Sequence, residues 1–247
     1  DIDPAFFVFG RFLLGFAVAA TTMAIMRTPL KPVRYHLLFG RTIANCAAVF
    51  TFFKAVSVTT AAEANILNMT YPLFIAVFSW FLLPDQRDFR AMGMVVVAFA
   101  GVWLILSPSG MQLNANYLWG LASGITASAA ILYLNVSRKY HDTQTILFFM
   151  FGPGAGLIYL FFYDKIFIPN TTEMYYLFLC ASAGIVGQYL LTLGFRYVTA
   201  VEGSIVSSTR ILLAAVLGPF LASEPALGLS GWIGALLIFG ANVYLAF

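Results

Sequence analysis

The sequence predicts an all-α protein that crosses a membrane many times. Hydrophobic residues make up 61% of its 247 residues and charged residues only 9%, with a mean hydropathy of +0.89. A soluble domain is about a quarter charged, so this chain has too few polar side chains to cover a water-soluble surface. The apolar residues also fall into segments that are long enough to cross a bilayer as helices.

Apolar segments of about 20 residues alternate with short connections along the whole chain. The connections contain Pro, Gly, Asn and most of the charged residues, which are signals of turns. Nine spans result, and they cover residues 4–26, 36–57, 60–83, 90–107, 117–137, 144–163, 174–195, 200–222 and 228–247.

The distribution of Lys and Arg predicts how the spans are oriented. Alternate connections on one side carry Arg27, Lys31, Arg34, Arg87, Arg90, Arg138, Lys139 and Arg196. The opposite side carries only Lys165. Because cytoplasmic connections are enriched in Lys and Arg, we expect Phe247 on the cytoplasmic side of a bacterial inner (plasma) membrane. Asp1 would lie on the other side with no signal peptide before it, so we expect one further helix ahead of it.

The chain also contains a weak internal repeat. Residues of similar type recur at the offset that separates Glu63 from Glu202. The same offset pairs Asp85 with Glu224 and Gly101 with Gly240. Two halves follow, residues 1–110 and 111–247, each built from about five helices, with the first helix absent from the first half. Because five is odd, the second half enters the membrane inverted, which is the pattern of many secondary transporters.

Two segments resemble the EamA-type repeat of the drug/metabolite transporter superfamily, and the resemblance covers essentially the whole chain. They contain FFKAVSVTTAAEANILNMTYPLF and GFRYVTAVEGSIVSSTRILLAAVLG. Asp85 and Glu224 match the family's acidic turn, and Arg11 resembles an arginine often found early in its second helix. The resemblance implies a ten-helix inverted-repeat transporter, often an exporter of amino acids or other small metabolites.

Polar residues inside the spans recur at helical spacing and so share one face of each helix. A charged side chain in the bilayer is costly unless it faces the protein interior or water. We expect Arg210, near the middle of its span, to hold a carboxylate or another anion, with amides and a hydroxyl as hydrogen-bond partners and aromatic rings as walls. The substrate-binding candidates are Arg210, Asn45, Asn68, Gln188, Ser207, Tyr71, Tyr133 and Arg11.

Each candidate also has a structural interpretation. Amides and hydroxyls join helices in bilayers without binding any solute. Arg11 lies in the outer third of its span and Arg41 near the cytoplasmic end, so either side chain can extend to the membrane surface. For Arg41 we expect that extended arrangement.

Two pairs of opposite charge mark joins between spans, Lys54 with Glu63 and Arg196 with Glu202. The structural interpretation is an ion pair at each helix start, where the positive end of the helix favours the acid. The functional interpretation is a gate or proton site at each mouth of the pathway. Pro72 follows Glu63 closely and is predicted to kink its helix.

The sequence contains no Walker motif, no metal-ligand cluster and no catalytic triad, so we expect neither an enzyme nor a cofactor. Cys46 and Cys180 are predicted to be buried thiols, and no basic run indicates nucleic acid. The sequence therefore predicts a secondary active or facilitative transporter that exports a small metabolite, with amino acids first, by alternating access. The alternatives are a larger nucleoside-like substrate, or a membrane scaffold or receptor that transports nothing.

Overall fold

The protein is helical wherever its structure is described. The computed structural model describes residues 3–82, 89–106, 115–194, 196–197, 200–221 and 226–244, and their side chains except at 79–82, 89–92, 106, 200–208, 214 and 221. Ten α-helices lie in these ranges, which contain no strand. They are α1 (Pro4–Met26), α2 (Tyr35–Val58), α3 (Ala61–Asn68), α4 (Tyr71–Leu82), α5 (Phe89–Leu106), α6 (Leu118–Ser137), α7 (Thr143–Phe162), α8 (Thr171–Gly194), α9 (Ala200–Leu221) and α10 (Leu229–Tyr244).

The predicted spans match these helices closely, and the all-α membrane fold class is confirmed. Eight of the nine spans are each one helix, whereas the third is divided into α3 and α4 at Met69 and Thr70. The helical segments that are long and apolar enough to cross a bilayer on length and composition alone are Pro4–Met26, Tyr35–Val58, Ala115–Ser137, Thr143–Lys165 and Thr171–Gly194.

The described chain forms two compact units. Unit 1 contains residues Asp1–Phe53 and Ala129–Thr199, and unit 2 contains Lys54–Ser128 and Ala200–Phe247. Each unit takes helices from both predicted halves, 1–110 and 111–247, so the two units are not those halves, and the repeat division stays a prediction. Asp85 and Glu224, the predicted acidic turns, lie outside the described residues.

In unit 1, α1 packs against α7 and α8 around a core of aromatic and aliphatic side chains. The buried members of this core are Val8, Phe12, Cys46, Leu147, Met150, Phe151, Ala155, Ile158 and Ile185. Cys46 is a free thiol inside this core, and Cys180 is a free thiol that is half-buried. Aspartates cap the starts of α1 and α7. The Asp3 side chain accepts from Ala5 N at 2.8 Å, and the Asp142 side chain accepts from Thr145 N at 3.0 Å.

A hydroxyl on α2 compensates for a proline within α7. Pro153 has no N–H, so the carbonyl of Phe149, four residues earlier, lacks its helical donor. The Thr42 hydroxyl lies 2.8 Å from that carbonyl oxygen and also 2.9 Å from the Leu38 oxygen of its own helix. This contact shows why a helix can keep a proline inside the membrane: a neighbouring side chain takes over the missing donor.

His141 joins two connections of unit 1. Its Nε2 accepts hydrogen bonds from the backbone N–H groups of Val33 and Arg34, each at 3.1 Å. Nε2 must therefore be unprotonated, and the ring proton lies on Nδ1, 3.2 Å from the Ser137 carbonyl oxygen. Burial is the main cause that lowers the pKa of His141 below its ordinary value. The neutral ring therefore holds the connection between α1 and α2 against the residues that follow α6.

In unit 2, α5 and α10 approach each other closely through two glycines. A Cβ on Gly101 would lie 2.7 Å from the Gly234 carbonyl oxygen, and one on Gly234 would lie 2.6 Å from the Gly101 oxygen. Small residues at this crossing let the two backbones touch, as is common between helices in bilayers. Gly240, which the repeat pairs with Gly101, has open space around its Cβ position. Leu73, Ala98 and Ala241 form the buried cluster beside this crossing.

Candidate functional site

The division between α3 and α4 leaves backbone groups that a continuous helix would have paired. Pro72 has no N–H, so it cannot donate to the carbonyl of Asn68, four residues earlier. The carbonyl oxygen of Met69 accepts a hydrogen bond of 3.0 Å from Asn242 Nδ2 of α10. Thr70 Oγ1 donates to the Leu67 oxygen at 2.6 Å. Side chains therefore donate to two carbonyls at the division, those of Met69 and Leu67, as polar backbone groups outside a helix need within a membrane.

The prediction that Pro72 kinks one continuous helix is wrong. The helix ends at Asn68, and Pro72 occupies the first turn of a new helix that begins at Tyr71. A proline costs little there because the first N–H groups of a helix have no helical acceptor anyway.

Asn68 is at the centre of a polar cluster in unit 2. Its side chain is only 9% exposed. Nδ2 donates to the Ser123 hydroxyl of α6, and Oδ1 accepts from Arg210 Nη2 of α9 at 3.2 Å. Because a guanidinium only donates, the bond to Arg210 requires the amide oxygen on that side, and Nδ2 is then free to donate to Ser123. The guanidinium has five N–H donors, of which the bond to Asn68 uses one.

Two glycines of α6 bring that helix against the division between α3 and α4. A Cβ on Gly120 would lie 2.7 Å from Leu67 Cβ, and one on Gly124 would lie 3.0 Å from the Leu67 carbonyl oxygen and closer still to Thr70 Oγ1. No larger residue fits at either position without displacing α3. The sequence GLASG therefore permits the close approach that places Ser123 beside Asn68.

Glu63 lies in the first turn of α3, as predicted, but with other partners than Lys54. Thr60 and Glu63 form a capping box, in which Glu63 N donates to Thr60 Oγ1 at 3.1 Å and Thr60 N donates to Glu63 Oε2 at 3.1 Å. Tyr117, just before α6, donates its hydroxyl to Glu63 Oε1 at 2.8 Å. The predicted ion pair with Lys54 is not formed, because local donors already surround the carboxylate.

The structure describes the other predicted residues of unit 2 only in part. Tyr71 is buried in the first turn of α4. Ser207 and Glu202 lie on α9 where side chains are outside the described set. A contact between Glu202 and Arg196, which belongs to unit 1, therefore stays a prediction. Arg196 is exposed, with its guanidinium 5.8 Å from the centre of the Tyr197 ring.

Unit 1 holds the remaining candidates. Arg11 donates from Nη2 to the Gly184 carbonyl oxygen of α8 at 3.2 Å, and Gly184 leaves room for the guanidinium. Asn45 and Gln188 are buried, at 7% and 9% exposure. Tyr133 of α6 is partly exposed and packs its ring on Gly40 of α2.

The prediction that Arg41 extends to the membrane surface is wrong. Its side chain is only 2% exposed and is the largest of the fully buried side chains in the described part of the chain. Position along α2 indicated a route to the surface, but neighbouring helices cover this face.

The sequence did not identify three residues of unit 2 that bond to α3 or to the division after it, namely Ser123, Asn242 and Tyr117. Asn242 is a lone amide in the apolar last span, which is a signal because such residues need partners in a bilayer. Ser123 lies in GLASG, whose small residues are typical of close helix packing and give no separate signal of a hydrogen bond to Asn68. Tyr117 precedes α6 and has no signal in the sequence that points to Glu63.

The comparison with known proteins assigns the family. The sequence profile of the EamA-like transporter family matches residues 1–107 and 114–247. This chain belongs to the EamA-like transporter family. The predicted resemblance is therefore confirmed, and so is the assignment as a transporter with membrane-spanning helices.

Relatives of this EamA-like transporter carry transporter names. A transporter of Helicobacter pylori is 26% identical over 93% of this chain and 82% of its own length. The pseudopaline exporter CntI of Pseudomonas aeruginosa is 23% identical over 85% of this chain and 74% of its own. The S-adenosylmethionine uptake transporter of Rickettsia bellii is 21% identical over 76% of this chain and 64% of its own. These names point away from an enzyme.

A solved crystal structure shares the fold of this EamA-like transporter. It superimposes with a TM-score of 0.67 over 98% of this chain and 87% of that chain, at 21% sequence identity. At that identity the likeness concerns the fold alone.

Proposed function

We propose that this EamA-like transporter exports a small metabolite that carries a carboxylate, with amino acids and related zwitterions as the first class, by alternating access. The observation that supports this proposal is the pairing of Arg210 with Asn68 beside the division between α3 and α4. A bacterial inner membrane, with the C-terminus in the cytoplasm, is part of the same proposal.

The chemistry of the pair favours an anion. Arg presents a planar fork of N–H donors that matches the two oxygens of a carboxylate. Asn68 orients that fork while leaving most of its donors for another acceptor. The protein leaves part of the Arg210 side chain uncovered, although the residue lies within α9. Secondary transporters commonly bind their substrates at divided helices of this kind.

The relatives' names support small metabolites as the substrate class. One is named as an exporter of pseudopaline and another for uptake of S-adenosylmethionine. S-adenosylmethionine joins an amino acid to a nucleoside, so its transporter's name also supports the second candidate, a larger nucleoside-like substrate. A scaffold or receptor that transports nothing has no such support.

A binding screen tests the proposed substrate class. The purified protein is unfolded thermally with amino acids, nucleosides and dicarboxylates, because a ligand that binds only the folded state raises the unfolding midpoint. We expect a saturable rise with one amino-acid class, and an apparent affinity roughly tenfold or more weaker in Arg210→Met, since a charged hydrogen bond is lost. Arg34→Met, which removes an exposed arginine that lies over the Tyr140 ring, is the matched control.

Two results would contradict parts of the proposal. A rise with nucleosides alone would favour the second candidate substrate. An unchanged amino-acid affinity in Arg210→Met would show that Arg210 does not hold the carboxylate.

A further inference from the structure

Unit 1 contains a buried positive charge for which the described side chains supply no carboxylate. The Arg41 side chain is 98% buried, since only 2% is exposed, and its Nε has no hydrogen-bond acceptor. Among the described side chains, the ion pair that forms is the one between Lys165 and Asp164. None of the described carboxylates therefore neutralises Arg41. An unpaired buried charge is strongly unfavourable, which makes an external anion the natural partner.

A second donor without an acceptor lies one helical turn further along α2. Asn45 is four residues after Arg41 and therefore on the same face. It is 7% exposed, and its Nδ2 is buried without a hydrogen-bond partner. The hydroxyl of Thr42 between them is already used by the carbonyls of Leu38 and Phe149. Arg41 and Asn45 are thus two neighbouring groups of donors for which the described protein supplies no acceptor.

We propose that Arg41 and Asn45 form a binding subsite for a carboxylate of a solute that the protein transports. This inference rests on the proposed function, and it adds a site in unit 1 to the pair formed by Arg210 and Asn68 in unit 2. The guanidinium fork takes both carboxylate oxygens, and the Asn45 amide donates a further hydrogen bond to one of them.

The charge of the subsite selects a monoanion. Arg41 contributes one positive charge, which a single carboxylate neutralises. A phosphate dianion would leave an excess negative charge in a buried environment, which is costly.

The test uses the purified full chain and follows the thermal unfolding midpoint with acetate, L-alanine and inorganic phosphate, against potassium chloride at equal ionic strength. We expect carboxylates to raise the midpoint more than phosphate does. In the Arg210→Met background, the remaining rise of the midpoint with carboxylates reports on the proposed subsite. We expect its apparent affinity to fall at least tenfold when Arg41→Met is added, and by less when Asn45→Ala is added. Arg34→Met removes an exposed arginine that lies over the Tyr140 ring and serves as the control.

Several outcomes would overturn the inference. One is an Arg41→Met protein that responds to carboxylates as the wild type does, and another is a wild type without any response specific to carboxylates. A third is a midpoint that rises in nanodiscs of phosphatidylglycerol but not with soluble carboxylates in phosphatidylcholine, which would assign Arg41 to a lipid headgroup. If Arg41→Met does not fold, Arg41→Lys keeps the charge but loses the fork, and we expect it to weaken carboxylate binding.

Failure of this inference is distinguishable from failure of the proposed function. Vesicles that transport an amino acid in a manner dependent on Arg210, with carboxylate binding indifferent to Arg41, would leave the function and remove the subsite. If the vesicles showed no transport while carboxylate binding by the protein required Arg41, the carboxylate site would stand and the proposed transport function would be removed.

Discussion

Individual side chains in unit 2 are oriented by specific hydrogen bonds rather than by burial alone. The amide of Asn68 donates to Ser123 and accepts from Arg210, so each end of the amide has a different task. The guanidinium only donates and so selects the amide oxygen, while the Ser123 hydroxyl accepts from the Nδ2 group at the other end and holds the side chain in place. Ser123 is therefore a positioning residue for Arg210.

Removing the Ser123 hydroxyl tests this positioning role. We expect Ser123→Ala to raise the KM for transport several-fold with little change in the maximal rate, because Arg210 binds the substrate less well when Asn68 is not held. Ser128→Ala is the matched control, since that buried hydroxyl bonds only the Ile125 carbonyl of its own helix. Equal kinetics of the two variants would show that Ser123 only fills space.

A pH prediction follows from His141. Burial lowers its pKa, so the folded protein binds fewer protons at this residue than the unfolded chain does. The stabilising contribution is full above the unfolded pKa of about 6.5 and is lost as the pH falls from there towards the folded pKa. Asp142, whose charge acts the other way, reduces the effect without reversing it.

The measurement is the thermal unfolding midpoint of the purified protein between pH 8 and pH 5. We expect the wild type to lose stability below about pH 6.5, and His141→Asn to show a smaller dependence on pH. His36→Asn removes an exposed histidine at the start of α2 and should behave as the wild type does. The same slope in all three proteins would contradict the role given to His141.

At the residue scale, the sequence revealed which polar groups lie within spans but not what covers them. Arg41 was placed correctly near one end of its span and wrongly at the surface, because its exposure depends on neighbouring helices. Glu63 was placed correctly at a helix start. Its partners Thr60 and Tyr117 were not identified, although Thr60 and Glu63 have the spacing of a capping box.

At the scale of elements, the division between α3 and α4 depends on close packing by α6. Gly120 and Gly124 leave no space between α6 and the residues that end α3. Apolar length predicted a helical segment at each of the nine positions, because crossing a bilayer requires long apolar helices. It did not predict the division within the third span, because Thr70 and Pro72 are equally compatible with a kinked helix.

A single methyl group tests this packing. We expect Gly124→Ala to destabilise the protein by about 1–3 kcal/mol, because the added Cβ would overlap Thr70 and the Leu67 carbonyl. Gly156→Ala in α7 is the control, since nothing lies within 4 Å of its Cβ position and alanine favours helix. Unfolding in detergent with denaturant measures both changes, and equal stability of the two variants would contradict the close approach.

At the scale of the whole molecule, the family and the fold class could be predicted from the sequence. Composition, span number and repeat pattern are each read from long stretches of sequence, so no single residue decides them. The matched segments, 1–107 and 114–247, are separated where the predicted halves meet. The compact units nevertheless combine helices from both halves, which no local pattern in the sequence specifies. Each compact unit therefore contains helices from both predicted halves, so neither half corresponds to one unit.

Transport by reconstituted vesicles tests the central claim most directly. Counterflow of a labelled amino acid is measured in proteoliposomes that contain the wild type, Arg210→Met or Arg34→Met at equal protein content. The account predicts saturable uptake by the wild type and by Arg34→Met, and a loss of roughly tenfold or more in Arg210→Met because its carboxylate anchor is gone. Uptake by Arg210→Met at the wild-type rate and KM would contradict it.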